Sequence, residues 1–150
     1  MKFFTILSLT LLSFSSFAST KYCIAAKEQI PYSSKTLWTG SCEGMDFSAS
    51  SFNGKVAEDK IRSDITTRGF EVVGMYFDRY EMIFRRQGTD STKFKEICLS
   101  RRFTLDCGQG YKIVFDDKSP EAVKTFARKQ GYTLLQEWSH EGELRVLMGK

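Results

Sequence analysis

The sequence predicts an α+β two-layer sandwich: an antiparallel sheet with two helices on one face, built twice from one ββαββ unit. Three observations carry this. Two amphipathic helical stretches are each closed by a glycine and run directly into an apolar strand. Strand and turn patterns flank both helices. The two stretches also align without a gap at an offset of 62 residues, pairing Ile61 with Val123, Gly69 with Gly131, Phe70 with Tyr132, Val73 with Leu135 and Tyr76 with Trp138. Two helices are too few to cover both faces of a large sheet, so both are expected on the same side. The opposite sheet face is then left partly open as a binding surface.

The chain has 150 residues, 41% of them hydrophobic, which suits one compact domain and is short for two. Its 14% aromatic content and 2 prolines argue against a disordered or low-complexity chain. A net charge of +4 is too small a basic excess to mark a nucleic-acid binder.

From the N-terminus, Met1-Lys2 is a short positive start and Phe3 to Phe17 an apolar run diluted by Ser13, Ser15 and Ser16. Small residues at Ser16 and Ala18 fit a signal-peptidase site, so residues 1–18 are read as a cleaved signal peptide and 19–150 as one exported domain, with halves at about 19–88 and 93–150. The run falls short of the ~20 apolar residues of a membrane span, and no cysteine directly follows Ala18 to take a lipid. The expected location is the periplasm or the exterior.

Cys23, Cys42, Cys98 and Cys107 are an even set in a chain bound for an oxidising compartment, and they read as two disulfides. Cys23 with Cys42 and Cys98 with Cys107 is the local pairing, the first bracketing a turn at Pro31-Tyr32-Ser33-Ser34. Ile97, Leu99, Phe103 and Leu105 also fit one uninterrupted strand. That strand would hold Cys98 and Cys107 roughly 30 Å apart and force the bridges to cross between halves.

The first helix places Ala57, Ile61 and Ile65 on one face and ends at Gly69, followed by a strand from Phe70 to Tyr76, a turn at Asp78-Arg79-Tyr80 and a strand from Glu81 to Arg86. Asp106 to Gly110 turns into a strand from Tyr111 to Phe115. Ser119 is an N-cap with Pro120 at the first helical position; Val123, Phe126 and Ala127 form the second apolar face, and Gly131 closes the helix. Strands Tyr132 to Trp138 and Glu143 to Met148 follow, joined by a turn at Ser139-His140-Glu141-Gly142.

The chemistry written into the chain is sparse. His140 is the only histidine; it stands between a serine and a carboxylate, yet a triad needs convergence in space, so no catalytic residue is assigned. With the cysteines oxidised there is no metal-ligand set and no cofactor motif; Asp116-Asp117 rather favours the positive end of the second helix. The segment joining the halves is basic, with Arg85, Arg86, Lys93, Lys95, Arg101 and Arg102 against Asp90 and Glu96. It is the candidate patch for an acidic protein or an anionic polymer, with Tyr80 and Trp138 as accompanying aromatics. Tyr76, Tyr80, Phe84 and Trp138 suit a core face or an interface.

Small size, export, disulfides and no catalytic constellation lead to a non-enzymatic module that binds another envelope protein, such as an inhibitor or an immunity protein. A module for cell-wall polymer (peptidoglycan) is the alternative, and a small hydrolase using His140 the third reading. Neither nucleic acid nor a membrane span is expected.

Overall fold

A computed structural model describes residues 22–88, 94–108, 110–113, 119–140 and 142–150. The stretch read as a signal peptide, Lys93 and the Asp116-Asp117 pair lie outside them. The elements run β1 (Tyr22–Gln29), β2 (Thr36–Cys42), β3 (Met45–Ser51), α1 (Gly54–Thr66), β4 (Phe70–Tyr76), β5 (Glu81–Arg86), β6 (Ile97–Arg101), β7 (Thr104–Asp106), β8 (Tyr111–Ile113), α2 (Pro120–Lys129), β9 (Thr133–His140) and β10 (Glu143–Gly149).

The strands form two antiparallel five-stranded sheets, ordered β3-β2-β1-β5-β4 and β8-β7-β6-β10-β9. The two orders match position for position, so each half is the same βββαββ unit. The α+β class, the antiparallel strands and the duplication stand as expected, with three corrections. The unit holds one strand more than ββαββ, because the Glu43-Gly44 turn, both residues at positive φ (50° and 79°), folds β2 back onto β3. The strands divide into two sheets instead of one. The helices therefore cover the outer faces of different sheets, and the sheet face expected to be open is largely closed by the other sheet.

The burial pattern explains this arrangement. Period-two alternation in β1 sends Cys23 and Ala25 outward to Trp38, Ile61, Ile65 and Phe70 beneath α1, and Ile24 inward. The inner layer joins Tyr22, Ile24, Tyr76, Phe77 and Ile83 of one sheet to Leu99 and Leu147 of the other, with Val73, Ile97, Leu135 and Trp138 at its margins. Under α2, Val123 and Ala127 pack on Cys98, Leu105, Val146 and Met148. Among the described residues this inner layer comes from β1, β4, β5, β6, β9 and β10 and from Phe77 in the turn after β4, with nothing from β2 or β3.

Local signals set the helix ends. The Asn53 side chain accepts from the Lys55 N–H to cap α1, and Ser119 caps α2 by accepting from the Ala122 N–H, with Pro120 in the first turn. Gly69 (φ 91°) and Gly131 (φ 81°) take the left-handed conformation past each helix. Phe70 then folds against Ile65, and Tyr132 against Ala127.

The duplication extends to irregular features. In β4 the register with β5 slips at Val73, and in β9 the register with β10 slips at Leu135, the residue 62 positions later. Ile24 faces Ser41 across β1 and β2 as Leu99 faces Asp106 across β6 and β7, and one residue further along stand Cys23 with Cys42 and Cys98 with Cys107. Both disulfides form, with Cα separations of 5.0 and 4.1 Å, so the local pairing is the one adopted. A turn at Arg102-Phe103, with Arg102 at φ 54°, breaks the uninterrupted strand that would have prevented the second.

Each sheet carries its helix outside and turns the corresponding face to the other, as two copies related by an approximate two-fold axis would, and a position near such an axis meets its own counterpart. Aligning Phe84 with Met148, which face Cys23 and Cys98, makes Glu81 the counterpart of Arg145. These two pair directly, Arg145 Nε to Glu81 Oε1 at 3.0 Å, with side chains 1% and 4% exposed. A self-pairing position cannot carry the same charge twice; the opposite signs let it be buried.

Candidate functional site

The sheets do not eclipse one another. Because β2 and β3 supply nothing to the inner layer, their inner face extends beyond the edge strand β9, and a cleft of about 700 Å³ opens between them. Ile24 and Ala26 of β1, Thr39 and Ser41 of β2 and Asp46 and Ser48 of β3 line one side; consecutive residues Gln136 to His140 of β9 line the other. At one end the Gln136 side chain accepts from the Tyr22 N–H (3.1 Å) and donates to the Tyr22 carbonyl (2.9 Å), tying β9 to β1.

The cleft has two chemical characters. It is acidic: Glu43, Asp46 and Glu137 line it, and among the described residues no Lys or Arg does. Glu43 is engaged by Arg86, and Glu137 by Lys124 at 2.7 Å, whereas Asp46 has no ion-pair partner among the described residues. Its polar groups are also uncommitted within the fold: among the described residues the side chains of Ser41, Asp46, Ser48, Trp138 and His140 make no hydrogen bond, the first three being exposed, so donors and acceptors of several kinds converge there without internal partners. Thr39 instead donates to Glu28 at 2.8 Å.

A second cleft of about 590 Å³ lies at the corresponding place in the other half, shifted along β4 toward the segment joining the halves. Val72 to Tyr76, Ile97, Cys107 and Gly108 line it with Phe94, Arg85 and Lys95, and among the described residues no carboxylate does. Its groups are used internally. Tyr76, the counterpart of Trp138, donates its hydroxyl to the Ile97 carbonyl at 3.2 Å; burial, then the Asp106 carboxylate and Tyr22, push that phenol up to about 12. Asp106, the counterpart of Ser41, accepts from the Phe77 N–H and the Gly108 N–H. These bonds hold a turn in which Phe77, Asp78 and Arg79 all lie at positive φ (51°, 54° and 68°), with Phe77 buried where the first cleft remains open.

The residues singled out from sequence are spread over the molecule. Arg85 pairs with Glu71 at 2.7 Å and Arg86 with Glu43. Arg101 and Arg102 both pair with Glu143, at 3.5 and 2.5 Å, toward the other end of the sandwich, where Arg145 meets Glu81. Burial would raise the Glu143 carboxyl, but hydrogen bonds from Arg102 and Arg145 hold it below its ordinary value. Lys95 is exposed at the second cleft. The basic run therefore does not assemble into one patch: β5 and β6 lie in different sheets and carry its arginines to opposite ends, where each meets a carboxylate.

Of the aromatics, Tyr76 and Phe84 are buried, Tyr80 is exposed beside Lys27, and Trp138 is half-buried in the first cleft. His140 is not in a turn; it is the last residue of β9 and lines the first cleft. Thr39, Ser41, Asp46 and Ser48 were missed as site residues. Their signal was the polar half of an alternation in which Trp38, Met45, Phe47 and Ala49 face α1.

The described residues hold one close group of ligand-type side chains, Glu96 with Cys98 and Cys107, and its sulfurs are spent in a disulfide. No helix among the described residues is long and apolar enough to cross a membrane. Comparison with protein-family models, with curated proteins and with solved structures returns no match.

Proposed function

We propose that this protein is an exported, non-enzymatic binding module that holds another envelope protein, in the manner of an inhibitor or an immunity protein, and that it does so through the first cleft. The observation that carries the reading is the convergence of Ser41, Asp46, Ser48, Trp138 and His140 on one acidic cleft without hydrogen-bond partners among the described residues. Ser41, Asp46 and Ser48 are exposed and Trp138 and His140 half-buried, so these groups are not spent on the fold and can bond a ligand without breaking an internal hydrogen bond. Export is supported by the opening sequence and by the two disulfides, which persist in oxidising compartments. A disulfide ties each half beneath its helix, and a cross-linked frame lowers the ordering cost of binding.

The self-paired arginines move the proposed contact away from the basic segment. Cell-wall polymer remains the second reading, favoured by one feature, an indole set among hydroxyls and a carboxylate.

The test is a pull-down from the organism's own envelope fraction with the tagged, disulfide-bonded protein, beside an Asp46→Lys, Trp138→Ala variant and an Arg85→Glu, Arg86→Glu variant. A stoichiometric protein captured by the wild type and the arginine variant, and lost by the cleft variant, supports the reading. Capture that survives the cleft changes removes it, and sedimentation on purified cell wall instead of protein capture favours the polymer.

A further inference from the structure

We infer that the first cleft takes an extended, basic polypeptide segment as a sixth strand of the second sheet, hydrogen-bonded along the free edge of β9. The inference rests on the cleft reading above and names the chemistry of the partner.

Among the described residues β9 ends its sheet and pairs only with β10. An antiparallel strand turns alternate N–H and C=O groups to each side, so the far side of β9 presents a row of groups without a neighbour. Among the described residues, none of those backbone groups is bonded by another element. Edge strands are commonly blunted by a bulge, a proline or a lysine. Here the slip at Leu135 breaks the regular edge at its beginning only, and Gln136 to His140 contain neither Lys nor Pro. Those same five residues line the cleft.

The opposite wall supplies the rest. Neighbouring strands lie about 4.8 Å apart and stacked sheets about 10 Å apart. A chain added beside β9 therefore lies over the inner face of β2 and β3, which the second sheet leaves uncovered. It completes the sandwich at the place where the cleft now stands. Its residues alternate in direction, and every second side chain meets Thr39, Ser41, Asp46 and Ser48. Among the described residues the lining holds three carboxylates and no Lys or Arg, and Asp46 is unpaired, so those inward side chains are cationic or hydroxylic. The half-buried Trp138 adds a ring face for a guanidinium or ammonium group.

The closing experiment titrates the isotope-labelled, disulfide-bonded full chain by NMR with a seven-residue peptide alternating Lys and Thr. Three comparison probes are its Glu-for-Lys twin, a twin with proline at alternate positions, and a soluble peptidoglycan fragment. The expected result is saturable shifts confined to Gln136–His140 and 39–48, slowed hydrogen exchange at alternate β9 amides, and affinity at least about tenfold weaker for both twins. Asp46→Lys lies on a half-exposed strand and should fold normally; it is expected to weaken the Lys peptide about tenfold, and Asp46→Asn less. Equal binding of the proline twin, shifts elsewhere, or the same shifts from the glycan but not the peptide would overturn strand addition. If the peptides fail while envelope capture still depends on the cleft, strand addition falls and the cleft reading stands. If capture ignores the cleft, both fall.

Discussion

The two clefts occupy corresponding places in a duplicated frame, yet one is acidic with polar groups uncommitted within the fold and the other is basic with its groups in use. Equivalent positions explain the divergence. Where one half has Trp138 and Ser41, with no hydrogen bond among the described residues, the other has Tyr76 bonded to Ile97 and Asp106 bonded to Phe77 and Gly108. A carboxylate at position 106 can hold the left-handed turn Phe77–Arg79 against the sheet, and that turn fills space which stays open beside Ser41. The same frame occurs twice, and the polar residues of its inner face decide which copy is closed by a turn and which keeps an open cleft.

The largest effect is expected at the axis between the halves. Arg145→Met leaves the Glu81 carboxylate buried and unpaired, and should cost about 3 to 5 kcal/mol in urea denaturation. The exchanged pair, Glu81→Arg with Arg145→Glu, should recover most of that loss if the two positions are counterparts. Failure of the exchange would break the symmetry argument. Next come the bridges. Removing Cys23–Cys42 or Cys98–Cys107 as a Ser pair should cost on the order of 3 kcal/mol each, slightly more for the first because its sequence separation is 19 against 9. A much smaller loss in one half would show that the halves are unequally dependent on their bridges.

The tyrosine and tryptophan counterparts differ in titration. The Tyr76 phenol is raised from 10.0 to about 12 in the folded chain, so its contribution is complete below pH 10 and is lost as pH rises toward 12. That contribution is on the order of 2 to 3 kcal/mol. Alkaline melts should show a fall in Tm over this window that Tyr76→Phe reduces and Trp138→Phe does not. The smallest changes are Gly69→Ala and Gly131→Ala, each about 1 to 2 kcal/mol because alanine must enter the left-handed region. Similar losses at both would confirm that the two helix ends are one device used twice.

Local features were legible because they depend on neighbours in the chain. Ser119-Pro120, Gly69 and Gly131 are helix punctuation, and the structure uses all of them. The strand Phe70–Tyr76 and the strand Glu81–Arg86 follow from residue type and turn chemistry, with both bounds as expected. β3 was missed because Met45 to Ser51 alternates with small polar residues, Asp46, Ser48 and Ser50, which resemble a loop until the inner sheet face gives them a place. The basic run misled for a related reason: charge adjacent in sequence says nothing about the carboxylates that folding brings beside it, such as Glu43 for Arg86 and Glu143 for Arg101 and Arg102.

The sequence by itself determined that a helix-glycine-strand unit recurs, its helix caps and the cysteines available for bridging, since spacing, glycine conformation and residue polarity act over a few residues. Only the tertiary structure decided that ten strands divide into two sheets, that Glu81 meets Arg145, and that Ser41, Asp46, Trp138 and His140 share one cleft. Those outcomes depend on which apolar face covers which. Alternation along a strand specifies that a face is buried, but not the partner that buries it.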